Sequence, residues 1–251
     1  MPTQKVNLQQ LNLKVHHNNK YWPENSLIFL QKAVLEKLSN LEDSVFHVDL
    51  KPENILILMN DTSRTIEVEL NVVNASDNAH GTLAYLAPER YKISTTLDQK
   101  FYKNLNNLQS PTLGNNSTLY AKDHTNFLTC NKSKFDNTLA NLVSAQKSNI
   151  FSLGLLIYEL ATFSHPFGRN INILNEVDFI WDNLFEKEEA VIEELENFGY
   201  SRNFGKILFT MMRKSCEDRI GLSDLMCHFN DTNAENNETC IFDWYLKCST
   251  I

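Results

Sequence analysis

The chain reads as a mainly helical α+β protein, a helical bundle carrying one small β-hairpin, and three stretches point to it. Leu27, Leu30, Val34 and Leu38 recur at helical spacing. The apolar run Ile55 to Met59 is followed by Ile66, Val68, Leu70 and Val72 alternating with Glu67, Glu69 and Asn71. Those are two strands, joined across the turn residues Asn60-Asp61-Thr62-Ser63. Finally, Ile150 to Leu160 is apolar nearly all round, as a helix buried on every side must be.

At 251 residues the chain can bury one substantial core, so one domain is the default. A formal net charge of -8 and a pI near 5.4 argue against a nucleic-acid partner, which calls for clustered basic surface. Cys130, Cys216, Cys227, Cys240 and Cys248 are scattered, without a C-x-x-C pair. That pattern fits a reduced, cytoplasmic protein better than a disulfide or zinc framework. Met1 to Lys20 is polar and lacks the apolar core of a secretory signal. No apolar run approaches the roughly 18 residues of a membrane span, so no membrane role is expected.

Residues 1–24 are expected to form a polar N-terminal segment. Positions 1–22 contain no glycine, and a loop that cradles phosphate needs glycine for close backbone approach. His16 and His17, adjacent and without a third ligand, read as a solvated turn rather than a metal site. A helix starts near Asn25, with Asn25 or Ser26 as its cap, and delivers the chain to His47.

The chemistry concentrates in His47-Val48-Asp49-Leu50-Lys51-Pro52-Glu53-Asn54, a loop set just before the first strand. An aspartate there can accept the proton of a hydroxyl, and a lysine two residues on can face a transferring phosphoryl group. An asparagine five residues on offers a carbonyl oxygen to a metal ion. Behind it come Gly81-Thr82-Leu83-Ala84-Tyr85-Leu86-Ala87-Pro88-Glu89-Arg90 and then Ser148-Asn149-Ile150-Phe151-Ser152-Leu153-Gly154. In this order and spacing the three stretches resemble the protein-kinase catalytic loop, the G-T-x-x-Y-x-A-P-E segment and the D-[IV]-[FWY]-S-[FL]-G segment.

The resemblance covers roughly residues 25–90 and 148–229. It implies the large C-terminal lobe of a kinase with the small nucleotide-holding N-terminal lobe missing. Asp49, Lys51, Asn54 and Thr82 then stand at catalytic positions. Lys51, Asn54 and Leu56 stand where the family contacts ATP, and Asn54 where it holds magnesium. The threonine at position 82 is similar to the serine/threonine-directed class. Glu89 would pair with Arg219, tying the shelf beneath the substrate to the last helices, and Asn149 stands where the family has an aspartate that anchors the catalytic-loop backbone, a place where asparagine can still cap a helix and accept a hydrogen bond. The ending His165-Pro166-Phe167-Gly168 is similar to that of the inositol-requiring ER-stress kinase/ribonucleases.

Departures from the pattern decide the functional expectation. Val48 stands where the family has arginine. Counting along the second strand places Val72-Val73-Asn74 where a metal-binding Asp-Phe-Gly belongs, and valine offers no oxygen to a hard cation. Asp77 is the nearest substitute ligand. Residues 92–147, rich in Asn, Ser, Thr and Lys, read as a polar surface insertion. Tyr85 and its neighbouring tyrosines read as exposed, and the acidic stretch from Glu186 to Glu196 as a solvated helix face. A helix over 203–215, a short helix over 223–229 and a tail over 230–251 complete the chain. Two functions remain open. One is a pseudokinase that binds a protein partner, such as a kinase or a kinase substrate. The other is a serine/threonine kinase using ATP and Mg, its small lobe supplied by another chain or lying outside this one.

Overall fold

The computed structural model describes residues 4–18, 20–40, 49–60, 63, 65–71, 85–89, 139–164 and 188–231. Its sheet has three antiparallel strands in the order β1 (Gln4–Asn7), β2 (Ile55–Asn60), β3 (Thr65–Leu70). The hairpin β2–β3 is the expected one, and Asn60 Oδ1 accepts the N–H of Ser63 at 3.1 Å to start the turn. β1 lies against the other edge of β2, with Val6 opposite Ile57 and Asn7 opposite Leu56. The polar reading of residues 1–24 gave no hint of this strand. Alternation sorts the faces of the sheet: Ile55, Ile57, Met59, Ile66 and Val68 are buried, while Leu56 and Leu58 lie half-buried on the other side.

Asn7 ends β1 and caps α1 (Leu8–His17), its Oδ1 accepting the N–H of Gln10 at 2.8 Å. Leu8, Leu11 and Val15 face the core at helical spacing. His16 and His17 therefore lie in the last turn of a helix, exposed, rather than in a separate turn. α2 (Glu24–Ser39) starts one residue before the expected cap. Pro23 takes the extended capping conformation without a side-chain bond, and Ser26 is buried inside the helix. A proline fits there because the first helical turn needs no N–H from it.

The central helix α3 (Leu139–Thr162) is 24 residues long and begins nine residues before Ser148. The helix thus takes in the last residues of the expected insertion, and Asn149 sits buried within it rather than at its start. From Ile150 to Ala161 all side chains are buried except the half-buried Glu159. Each fully buried Leu, Ile or Phe there contributes about 1.5–3 kcal/mol. α5 (Arg202–Met211) and α6 (Leu222–Asp231) pack against it, and α4 (Glu188–Asn197) packs on α5 and reaches the central helix through the Tyr158–Glu194 hydrogen bond. α4 and α5 are joined by Phe198-Gly199-Tyr200-Ser201. Gly199 has φ of 88°, a left-handed conformation that glycine adopts without strain, and its N–H bonds the Glu196 carbonyl at 2.9 Å. As expected, α4 buries Val191, Ile192 and Leu195 and turns its glutamates outward.

Leu8, Leu11, Trp22, Leu30, Ile57 and Val68 line a cavity of about 20 Å³ between α1, α2 and the sheet. It has room for one water and almost nothing polar to hold it, so it is a packing gap and not a ligand site. Among the described residues no helix is long and apolar enough to cross a membrane.

Candidate functional site

The loop before β2 is held by its own side chains. Leu50 is buried and anchors it, and Pro52 starts a 3₁₀ turn, Pro52–Asn54, that leads into Ile55. The buried Asn54 side chain donates through Nδ2 to the Asp49 carbonyl at 2.8 Å and to Asp49 Oδ2 at 3.1 Å. Lys51 Nζ lies 2.8 Å from the same Oδ2. The structure therefore brings Asp49, Lys51 and Asn54 together, with Asp49 and Lys51 16% and 25% exposed. A carboxylate fixed between an ammonium and an amide is positioned to receive a hydroxyl proton, and Asn54 Oδ1 is the oxygen such an arrangement turns towards a cation.

Leu56 lies next on the outward face of the sheet, flanked by Asn7 and Glu69. A Lys5–Glu69 ion pair at 3.1 Å joins the outer strands across β2 beside it. Both partners are exposed, so the pair adds little stability. Thr82, Asp77, His47 and Val48 lie outside the described residues, as do Val72-Val73-Asn74 and His165-Pro166-Phe167-Gly168.

β3 closes at Leu70, and the next residue, Asn71, donates its N–H to the Asn54 carbonyl at 2.8 Å. Asn71 is thus the residue the hairpin delivers beside Asn54, ahead of the Val72 reached by counting. It brings an amide and no charge. Among the described residues no three His, Cys, Asp or Glu side chains converge on one point. Asp49 is already neutralised by Lys51, and Asn54 and Asn71 supply only amide oxygens. Magnesium is ordinarily held in near-octahedral geometry through one or two carboxylates together with phosphates, and these described residues bring it amide oxygens and one carboxylate already paired with Lys51.

Several further residues belong to the site and were not read from sequence. Tyr85 is half-buried, not exposed, and its hydroxyl donates a short hydrogen bond to Glu159. Burial, then the charge and hydrogen bond of Glu159, then Glu53 and Asp49, push this phenol far above its ordinary range, so it stays a neutral donor. Glu53 accepts from Gln9 Nε2 at 3.0 Å through Oε1, while its buried Oε2 has no hydrogen-bond partner. Ser152 Oγ donates to the Tyr85 carbonyl at 2.7 Å, and Ser148 Oγ to Glu89 Oε1 at 2.7 Å. Ser148, Ser152 and Glu159 form a polar stripe along an otherwise apolar α3, and that stripe holds residues 85–89 in place. The signal was present in the sequence as three polar positions interrupting a buried helix.

The expected Glu89–Arg219 pair is present and bidentate, at 2.7 and 3.1 Å. Arg219 is fully buried; it also donates to the carbonyls of Lys147 at 2.8 Å and Arg213 at 3.1 Å and lies over the Phe151 ring. Burial pushes the Glu89 carboxyl up, but hydrogen bonds and charge from Arg219, helped by Ser148, outweigh it and hold the group below its ordinary range.

A catalytic-type loop at the mouth of a β-hairpin, with a shelf segment pinned to a central buried helix, defines a mainly helical, protein-kinase-like domain. Solved structures agree. The chain superposes on the Rad53 kinase domain and SCD2 in complex with AMPPNP with a TM-score of 0.50 and 15% identity, covering 88% of this chain and 63% of that one. It superposes on the Rad53 kinase domain and SCD2 with a TM-score of 0.50 and 16% identity, covering 88% and 61%. At these identities the likeness is one of fold. The chain spans less than two thirds of the length of either structure. No family model and no curated protein matches it.

Proposed function

We propose that the chain is a pseudokinase, a kinase-like large lobe that works as a protein-binding or regulatory module in the cytoplasm. The observation that carries this reading is the exit of β3: Asn71 meets the Asn54 carbonyl at 2.8 Å, where metal-assisted phosphoryl transfer calls for a carboxylate. Phosphoryl transfer rests on positioning and charge neutralisation, so a site short of anionic metal ligands loses most of its catalytic power. Within the kinase-like class, His165-Pro166-Phe167-Gly168 favours kinship with the inositol-requiring ER-stress enzymes.

A second reading, a serine/threonine kinase acting with ATP and Mg, is favoured by one observation. Asp49, Lys51 and Asn54 keep a tight mutual geometry at 2.8–3.1 Å. In that reading Asp49 takes the hydroxyl proton, Lys51 faces the transferred group, Leu56 underlies the base, Thr82 steadies the loop, and Asp77 joins Asn54 at the cation.

Thermal-shift titration with ATP, with and without Mg, separates the two. The pseudokinase reading expects no Mg-dependent rise in melting temperature at millimolar ATP. Transfer of labelled phosphate to a protein by the purified chain, lost in Asp49→Asn, overturns it. A shift abolished by Asp77→Ala restores the metal site to that residue.

A further inference from the structure

We draw no further inference here: the strongest candidate, the cluster of Glu53, Tyr85 and Glu159 side chains beside the catalytic-type loop, belongs to the site already described, and no second observation there points to a ligand.

Discussion

Replacing Arg219 with alanine probes the contact that joins the 85–89 segment to the helical body. The wild-type guanidinium is fully buried and satisfies both oxygens of Glu89 together with the carbonyls of Lys147, Arg213 and Lys214. Its loss strands a carboxylate that is 23% exposed and keeps the Ser148 hydroxyl and a backbone N–H as neutral donors. Breaking a buried pair from one side costs about 3–5 kcal/mol, and partial access of water to Glu89 sets the expectation near 3 kcal/mol. With a urea slope of about 3 kcal/mol/M for a chain of this size, the unfolding midpoint should fall by about 1 M.

The same pair has a pH signature. Glu89 is held below the ordinary carboxylate range in the folded state, so its contribution is complete above the unfolded carboxylate pKa and fades as pH drops through the folded value. Urea unfolding of wild type and Arg219→Ala at neutral pH and in acid measures both effects, and the gap between the curves should narrow in acid. A difference under about 1 kcal/mol, or one that stays constant into strong acid, refutes the reasoning. Arg219→Lys, which keeps the charge but loses the planar fork, should fall between the two.

Three other outcomes follow from packing and titration. At Gly154 an added Cβ would lie 2.7 Å from Met212 Cγ and 3.1 Å from Met211 Cβ. Gly154→Ala should therefore cost about 1–3 kcal/mol in urea unfolding, part of it recovered by Met212→Ala. Gln31 is 1% exposed, its Nε2 reaches only Met211 Sδ at 3.5 Å, and its Oε1 has no hydrogen-bond partner. Gln31→Met should raise stability by about 1 kcal/mol, and a loss of that size would contradict the accounting. Tyr85, Tyr158 and Tyr200 are all pushed above the ordinary phenol range, mainly by burial and then by neighbouring carboxylates. Their stabilisation is complete below the unfolded phenol pKa and lost above it, by up to about 1.4 kcal/mol per tyrosine per pH unit. The melting temperature should drop steeply beyond about pH 10, and less so in a Tyr158→Phe variant.

What could be read in advance depended on the range of the interaction. The β2–β3 hairpin was legible because its period-two alternation is local, and the core of α3 because a helix apolar on all sides has one stable place. Glu89 and Arg219 lie 130 positions apart, and only a family likeness, not any pattern, linked them. α1 was missed although Asn7, Leu8, Leu11 and Val15 spell a cap and an apolar stripe, because its surrounding glutamines, asparagines and histidines suggested a solvated tail. β1 carries no alternation to read: Gln4-Lys5-Val6-Asn7 is a strand only because β2 offers it an open edge. The arrival of Asn71, rather than Val72, beside Asn54 depends on where β3 stops pairing, and a strand end shifts by a residue or two without any change in sequence pattern.

Glu89 and Ser148 touch at 2.7 Å, and Arg219 grips the carboxylate of one and the backbone carbonyl beside the other. The two ends of everything encoded between them are therefore stapled to a single point on the body. The entropic cost of closing a loop between two pinned points rises only logarithmically with its length, by about 0.6 kcal/mol for each doubling. By loop closure alone, a change of length between positions 90 and 138 should therefore cost little, whereas loss of Glu89, Ser148 or Arg219 releases both ends together.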